Sequence, residues 1–304
     1  MKKNISIKEK LILAYQHHKK NEFRTAENFY KDILKINPAH FETNYLLGSL
    51  YLQMKNLKKS EKLLKKAIKI NSNHSNAYNN LGIVLGELRQ FKKAEESFKK
   101  AINIQPENSN AYNNIGTASK DQGKLKEAMF FFKKAIEVKP NYVNAHNNLG
   151  LVLSDLHESA KAAEHFYKAI QIDPNYAKGY NNLGTTLESL GSTDKPKEFY
   201  KKAIQIQPDF AEAHSNLGIE FKKYGQISEA INCFEKAVKF GPEKLVHFYY
   251  LSELKEKILN TKLKKLIIEV INKNITKKNN ISYAYYLLSK YENKKRIIKK
   301  KLII

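Results

Sequence analysis

The sequence predicts an all-α chain in which antiparallel helix pairs stack into a solenoid. Three series of residues carry this prediction, because each recurs at one constant interval, the distance from Gly48 to Gly82. The glycine series is Gly48, Gly82, Gly116, Gly150, Gly184 and Gly218. The proline series is Pro106, Pro140, Pro174, Pro208 and Pro242, with Pro38 in phase upstream, and the alanine series is Ala67, Ala101, Ala135, Ala169, Ala203 and Ala237. A period of about 34 residues is typical of repeats built from two helices, each of which buries its apolar side against its neighbours.

Each residue type has a physical reason at its position. A glycine inside a helix costs roughly 1 kcal/mol relative to alanine, so close helix packing must offset that cost. We expect the second helix of each pair to present a matching small surface, formed by Ala94, Ala128, Ala162 and Ala230. Larger side chains fill the remaining space, in an apolar series (Leu81, Ile115, Leu149, Leu183, Leu217) and an aromatic series (Phe98, Phe132, Phe166, Tyr200, Phe234). Proline ends each unit because it cannot continue a helix.

These motifs resemble the tetratricopeptide repeat. Residues 76–82 read Asn-Ala-Tyr-Asn-Asn-Leu-Gly, and Phe91, Ala94, Phe98, Ala101 and Pro106 follow at the family's spacing. The resemblance implies a right-handed superhelical solenoid with about seven repeats. The expected units are 7–40, 41–74, 75–108, 109–142, 143–176, 177–210 and 211–244, after an N-terminal extension at 1–6. The repeats are most similar to those of O-linked N-acetylglucosamine transferases and of bacterial proteins that join such repeats to a glycosyltransferase or sulfotransferase domain. A catalytic domain of that kind is absent from this sequence.

Three positions depart from the repeat pattern. Ala14 takes the glycine position of the first unit, and His157 replaces the usual turn glycine of the fifth. Pro196 stands where other units carry an alanine. We expect Pro196 in the first turn of its helix, where proline is tolerated, with Thr193 or Asp194 as the cap.

Residues 245–304 leave the repeat pattern and carry 15 basic residues against four acids. The stretch from Leu245 to Asn272 keeps a helical periodicity and is expected to cap the last repeat. Residues 283–289 then resemble the first helix of another repeat, for which no second helix follows. Three interpretations stay open: a truncated product, an apolar surface that awaits a partner, and a frayed basic terminus.

The composition favours a cytoplasmic protein that does not bind nucleic acid in its groove. The net charge is +24, but only three of the 54 basic residues are arginine, the residue that reads bases in a bidentate manner. The paired lysines, such as 99–100, 133–134 and 201–202, are expected on second helices, away from the groove. The single cysteine, Cys233, excludes a disulfide within one chain, and no apolar run reaches the ~18 residues that a membrane span needs.

Motifs for catalysis and for metal or cofactor binding are missing from the sequence. It contains no phosphate-binding glycine loop, no Gly-x-Ser-x-Gly and no His-Glu-x-x-His. His146 and His214 take a position that tyrosine holds in other repeats, which indicates packing. His157 and His165 near Asp155 are too loosely spaced to predict a metal site. We therefore expect no enzymatic activity, no cofactor and no metal.

In tetratricopeptide superhelices the first helix of each pair lines the concave face. By this resemblance the candidate peptide-binding residues are Asn79, Asn80, Asn113, Asn114, Asn147, Asn148, Asn181, Asn182 and Asn216. An asparagine amide both donates and accepts hydrogen bonds, which suits the backbone of an extended peptide. The alternative is that the second asparagine of each pair joins adjacent repeats. Charges of both signs are expected in the same groove: Glu87, Asp121, Asp155 and Glu188 against Lys120, Lys178, Lys222 and Lys223.

The leading hypothesis is a non-enzymatic protein–protein interaction scaffold that binds an extended peptide segment of another protein through this asparagine ladder. The first alternative is a substrate-recruiting arm of a glycosyltransferase or sulfotransferase whose catalytic domain is missing or separately encoded. The second alternative is a basic tail that binds RNA or an anionic membrane surface.

Overall fold

The fold is described from a computed structural model, which covers residues 6–193, 195–272 and 278–301. Across these ranges the chain forms 17 α-helices and one short 3-10 helix, with no β-strand. The predicted all-α class is therefore confirmed. The chain divides into two compact units, Met1–Glu158 and Ser159–Ile304.

The first unit contains nine helices of 13 or 14 residues that alternate as first and second members of helix pairs. They are α1 (Ile7–Lys19), α2 (Phe23–Ile36), α3 (Phe41–Gln53), α4 (Leu57–Ile70), α5 (Ser75–Glu87), α6 (Phe91–Ile104), α7 (Ser109–Asp121), α8 (Leu125–Val138) and α9 (Val143–Asp155). Each odd-numbered helix from α1 to α7 packs most extensively on the helix that follows it, as expected for helix pairs.

The second unit contains eight helices and a 3-10 turn. They are α10 (Ser159–Ile172), α11 (Ala177–Ser189), α12 (Lys195–Ile206), α13 (Ala211–Lys223), α14 (Ile227–Phe240), α15 (Leu245–Leu254), the 3-10 helix Glu256–Ile258, α16 (Thr261–Asn272) and α17 (Lys278–Lys301). The pairs α11–α12 and α13–α14 repeat the arrangement of the first unit.

The repeated glycine makes room for an aromatic ring. A Cβ atom added to Gly82 would lie 2.6 Å from Cε1 of Phe98, and one added to Gly116 would lie 2.8 Å from Cδ1 of Phe132. Gly184 and Gly218 meet aromatic rings of the second helix at 2.7 Å in the same way. The expected close approach of the two helices is therefore present. The atoms nearest to the glycine, however, belong to the aromatic ring and not to the alanine series of the second helix.

The turn between the two helices of a pair places one residue in the left-handed region of the backbone map. Non-glycine residues do so at Asn21, Lys55, Arg89 and His157, with φ of 57–62°, and glycines do so at Gly123, Gly191 and Gly225. These positions recur once in each repeat, at the same interval as the glycine series, and glycine alone adopts this conformation without a steric penalty. His157 thus takes the conformation of the glycine that it replaces.

Pro196 is the second residue of α12 and is buried in its first turn, as predicted from the sequence. Proline fits there because the first N–H groups of a helix have no partner within it. The carbonyl oxygen of Thr193 accepts a hydrogen bond from the Tyr224 hydroxyl at 3.0 Å. The other predicted cap, Asp194, lies outside the described residues.

The C-terminal region differs from the expected single cap. The helical stretch is interrupted after Leu254 and resumes at Thr261, so it forms two helices, α15 and α16. The repeat-like helix α17 packs on both, with Ala284 and Leu287 fully buried in their common core. The apolar face of the repeat-like helix, for which the sequence offered no second helix, is therefore covered by α15 and α16 at these two residues. Tyr285 of the same helix is 65% exposed.

Across the described ranges, each helix is either too short or too polar to span a lipid bilayer.

Candidate functional site

The first helices of successive pairs form a continuous face in each unit. In the first unit α1, α3, α5 and α7 each contact the next odd-numbered helix directly, and in the second unit α11 and α13 do the same. We call these surfaces the inner faces of the two units. All nine candidate asparagines lie on first helices.

The first asparagine of each pair is almost completely buried. Asn79, Asn113, Asn147 and Asn181 are only 5–7% exposed. The second asparagines, Asn80, Asn114, Asn148, Asn182 and Asn216, are half-buried. The structure thus leaves the second members, and not the first, accessible from the inner face.

Side-chain hydrogen bonds join these asparagines from one repeat to the next. The Asn114 Nδ2 donates to Oδ1 of Asn79 at 2.9 Å, and the Asn148 Nδ2 donates to Oδ1 of Asn113 at 3.0 Å. In the second unit the Asn216 Nδ2 donates to Oδ1 of Asn181 at 2.9 Å. The second asparagines therefore link adjacent repeats, which is the alternative that the sequence analysis left open. Whether the same residues bind peptide stays a prediction.

Asn80 shows how the ladder begins. The preceding repeat has Tyr45 at the first-asparagine position, and the Asn80 Nδ2 donates instead to Oγ of Ser49 at 2.9 Å. The Asn79 Nδ2 contributes a weaker bond of 3.4 Å to Oδ1 of Asn80. The link between repeats thus persists where the asparagine pattern stops.

A cleft of about 140 Å³ opens on the inner face between α5, α6 and α7. Its lining is mostly apolar, with one amide, one hydroxyl and two carboxylates among its residues. The lining consists of Gly82, Ile83, Gly86, Glu87, Phe91, Phe98, Asn114, Thr117, Ala118 and Asp121. Asn114 is the ladder residue at this cleft, so the cleft and part of the candidate site coincide.

Gly86 keeps the cleft open, a role that was not predicted from the sequence. Nothing lies within 4 Å of a Cβ atom placed on Gly86, whereas Gly82 one turn earlier faces the Phe98 ring. Gly86 is not part of the repeated glycine series, so no repeated packing role explains it. A second helical glycine four residues from Gly82 was the available signal, because positions i and i+4 share one helix face.

Two predicted groove acids line the cleft. Glu87 is the last residue of α5 and Asp121 is the last residue of α7. Asp155 ends α9 in the same way and is exposed. The C-terminal end of a helix carries a partial negative charge, so a carboxylate there adds to a negative potential. The Lys55 Nζ lies 2.8 Å from Oε1 of Glu87 and partly neutralises that carboxylate.

In the second unit the predicted groove acid Glu188 forms an ion pair with a lysine of the same chain. Lys223 donates to the carboxylate of Glu188 and, at 2.8 Å, to that of Glu220, which is only 2% exposed. The hydrogen bonds that Lys223 donates to these two carboxylates raise its pKa to about 12. The predicted groove cation Lys223 thus forms ion pairs within the chain.

The remaining sequence candidates have structural roles. The Nε2 atoms of His146 and His214 lie 2.9 Å from the carbonyl oxygens of Pro140 and Pro208, which fits the predicted packing role. Cys233 is buried, and burial raises the pKa of its thiol, which lowers its reactivity. In the part of the chain that the structure describes, no three histidine, cysteine or acidic side chains form a group that could hold a metal ion.

Models of the tetratricopeptide repeat match the chain over a nearly continuous range. The matched residues are 40–107, 109–142, 143–176, 177–210 and 211–244, which is well over half of the chain. No curated protein matches the chain in sequence.

Three solved structures share the fold. Cut9, in the APC/C hetero-tetramer Cut9–Hcn1, is similar with a TM-score of 0.68 at 14% identity, over 80% of this chain and 48% of that one. Tom70 from yeast gives a TM-score of 0.65 at 20% identity, over 84% of this chain and 56% of that one. PilF from Pseudomonas aeruginosa gives 0.62 at 22% identity, over 70% and 97%. This chain therefore spans only about half of the Cut9 and Tom70 chains. The repeated helix pairs and the matching models lead to one conclusion: the chain belongs to the tetratricopeptide repeat family.

Proposed function

We propose that this protein is a non-enzymatic scaffold whose inner face binds an extended segment of another protein. Tetratricopeptide repeats are typical of protein–protein interaction scaffolds, and this general role follows from the family. The observation that carries the finer proposal is the cleft beside Gly86, which combines an open apolar lining with the side-chain amide of Asn114. Concave apolar sites with a few polar groups are the usual form of a ligand site.

The asparagine ladder has hydrogen-bonding capacity left for a ligand. One N–H of Asn114 is used in the bond to Asn79, and the side chain remains half-buried at the edge of the cleft. An asparagine amide offers two donors and one acceptor oxygen, so a second N–H and the oxygen can pair with a peptide backbone. Each such bond contributes roughly 0.5–1.5 kcal/mol. We propose that the other second asparagines, Asn80, Asn148, Asn182 and Asn216, also face the bound segment.

The burial of the first asparagines narrows this proposal. The buried residues are Asn79, Asn113, Asn147 and Asn181. We propose that their amides position the second asparagines and contribute less to peptide binding than the second asparagines do. The transferase-arm alternative, the binding of RNA or membrane by the basic tail, and a cytoplasmic location remain predictions from the sequence.

Site-specific photo-crosslinking tests the inner face. Thr117 is an exposed residue of the cleft, and Phe130 on the second helix α8 is 54% exposed and serves as the matched control. A photoreactive p-benzoylphenylalanine is placed at either position, and the protein is irradiated in lysate of the native organism. We expect discrete crosslinked proteins from position 117 that position 130 does not give. Identical products from both positions, or products from position 130 alone, would overturn the proposal.

A further inference from the structure

We infer that the bound segment is basic and extended, and that one of its lysine or arginine side chains occupies the Gly86 cleft. This inference rests on the proposed function and specifies the chemistry of the partner. It depends on the apolar lining of the cleft, on the carboxylates at its edge and on the spacing of acidic residues along the inner face.

The cleft fits the stem of one long side chain. Its volume of about 140 Å³ is close to that of protein cavities that hold one benzene molecule, roughly 150 Å³. The side chains of Ile83, Phe91 and Ala118 form its apolar walls. Gly86, which has no side chain, forms its floor. Lysine and arginine bury their methylene stems on apolar surfaces while their charged ends stay near water. A purely apolar side chain would pack on the walls but would form no ion pair with the carboxylates.

The carboxylates select the charge. Asp121 lies at the edge of the cleft, is exposed, and forms no ion pair with any residue that the structure describes. Glu87 on the opposite helix already binds an ammonium group, that of Lys55, at 2.8 Å. In the second unit Lys223 forms ion pairs with Glu188 and Glu220. The chain therefore supplies its own cations to Glu87 and Glu188, while Asp121 is left for a cation from a partner.

A row of acids extends the site along the first unit. Glu87, Asp121 and Asp155 are the last residues of three consecutive first helices, one in each repeat. Packed helices lie about 8–10 Å apart. An extended peptide in the polyproline II conformation advances about 3.1 Å per residue and presents every third side chain on the same face. Basic residues at about every third position of the partner would therefore meet successive acids.

The large positive charge of the protein does not oppose this choice. Charges more than about 8 Å apart are largely screened at physiological ionic strength, so the nearest carboxylates decide which charge is preferred. These acids stand at helix C-termini, where the helix dipole disfavours them, so helix stability does not explain their presence. A basic segment supplies that explanation.

Labelled synthetic peptides test the inference with the full-length protein. One peptide has lysine at every third position in an alanine–threonine background, a second has norleucine at those positions, and a third has glutamate. Binding is measured by fluorescence anisotropy at low and physiological salt. We expect the lysine peptide to bind at least ten-fold more tightly than the glutamate peptide and several-fold more tightly than the norleucine peptide.

Two matched variants locate the effect. Asp121→Asn should weaken binding of the lysine peptide about three-fold and leave the norleucine peptide unchanged, in line with the strength of one exposed ion pair. Glu96→Gln removes the same charge from an exposed position on α6 and should have no effect. Equal binding of the lysine and norleucine peptides, or equal effects of the two variants, would overturn the inference.

The two proposals fail in distinguishable ways. If position 117 crosslinks a partner but the lysine peptide does not bind better than the others, the basic partner is wrong and the inner face remains the binding surface. If position 117 gives no specific crosslink, the proposed function itself fails and the inference fails with it.

Discussion

The side-chain amide of Asn114 donates a 2.9 Å hydrogen bond to the side-chain oxygen of Asn79, 35 residues earlier in the chain. The acceptor is only 6% exposed, so water cannot readily replace the lost donor. We expect Asn114→Ala to lower the free energy of unfolding by about 1–2 kcal/mol, since it leaves a buried polar group unsatisfied. Urea denaturation of the variant measures this. Thr117→Ala, a change at an exposed position one turn later, should shift stability by at most ~0.5 kcal/mol.

A double-mutant cycle separates the hydrogen bond from other effects. If Asn79→Ala and Asn114→Ala remove one shared bond, the double variant should lose about 1 kcal/mol less than the sum of the two single losses. Strict additivity would show that the bond does not link these repeats in solution.

Gly82 and Gly86 should respond to substitution in opposite ways. A Cβ atom at Gly82 would lie 2.6 Å from the buried ring of Phe98, so Gly82→Ala should destabilise the protein by about 1–3 kcal/mol. A Cβ atom at Gly86 meets nothing within 4 Å, so Gly86→Ala should be neutral or stabilising by at most ~1 kcal/mol. Thermal and urea unfolding of both variants measure the contrast. Equal destabilisation by the two changes would contradict the packing described here.

The constant repeat interval explains why the packing role of Gly82 was predicted from the sequence and that of Gly86 was not. Gly82 belongs to a series that recurs at the repeat interval, so its close contact with the second helix could be anticipated. The identity of that contact could not, because Ala94 and Phe98 both lie on the facing helix and only coordinates show which side chain reaches the glycine. Gly86 occurs once, and its role depends on a space between three helices that periodicity does not reveal.

The asparagines show a second limit of sequence reasoning. Their positions on first helices followed from the repeat period. Spacing alone does not show whether Asn114 faces the groove or its neighbour Asn79, because an amide at the edge of a helix can do either.

The C-terminal boundary between α15 and α16 was missed for a related reason. The periodicity from Leu245 to Asn272 is helical throughout and contains no proline or glycine that would signal the break.

Opposite substitutions at two equivalent turn positions test the left-handed turn geometry. Arg89 has φ of 59° and Gly123, the equivalent residue of the next repeat, has φ of 76°. Glycine removes the steric penalty of the left-handed conformation, but its greater freedom in the unfolded chain offsets part of that gain. We therefore expect Arg89→Gly to stabilise the protein by about 0.5–1 kcal/mol. Gly123→Arg should destabilise the protein by a similar amount. The midpoint of urea denaturation reports both signs, and two changes of the same sign would contradict the turn geometry.

His247 should make stability depend on pH. Its side chain is 1% exposed, and neither ring nitrogen has a hydrogen-bond partner among the described residues. Burial lowers its pKa from 6.5 to about 4. The unfolded state therefore binds a proton more readily, so the folded state loses stability as the pH falls from 6.5 towards 4 and gains nothing above 6.5. Between pH 7.5 and pH 5 this histidine should contribute a loss of about 2 kcal/mol.

The comparison with His247→Ala isolates this residue. Alanine occupies the equivalent position one repeat earlier, at Ala213, so the repeat accommodates the smaller side chain. Urea denaturation at pH 7.5 and pH 5 should show a smaller loss of stability for the variant than for the native chain. An unchanged loss would assign the pH dependence to other histidines, such as His74 and His214, whose pKa values burial also lowers.

A partner segment that occupies the cleft beside Gly86 should be excluded when a larger side chain fills that cleft. With the photoreactive residue at position 117, crosslinking yield is compared in the native background, with Gly86→Ala and with Gly86→Leu, after circular dichroism confirms that all three are folded. We predict that Gly86→Ala retains the crosslinked partner and that Gly86→Leu loses it, because only the larger side chain fills the cleft. Undiminished crosslinking in the folded Gly86→Leu protein would contradict the claim.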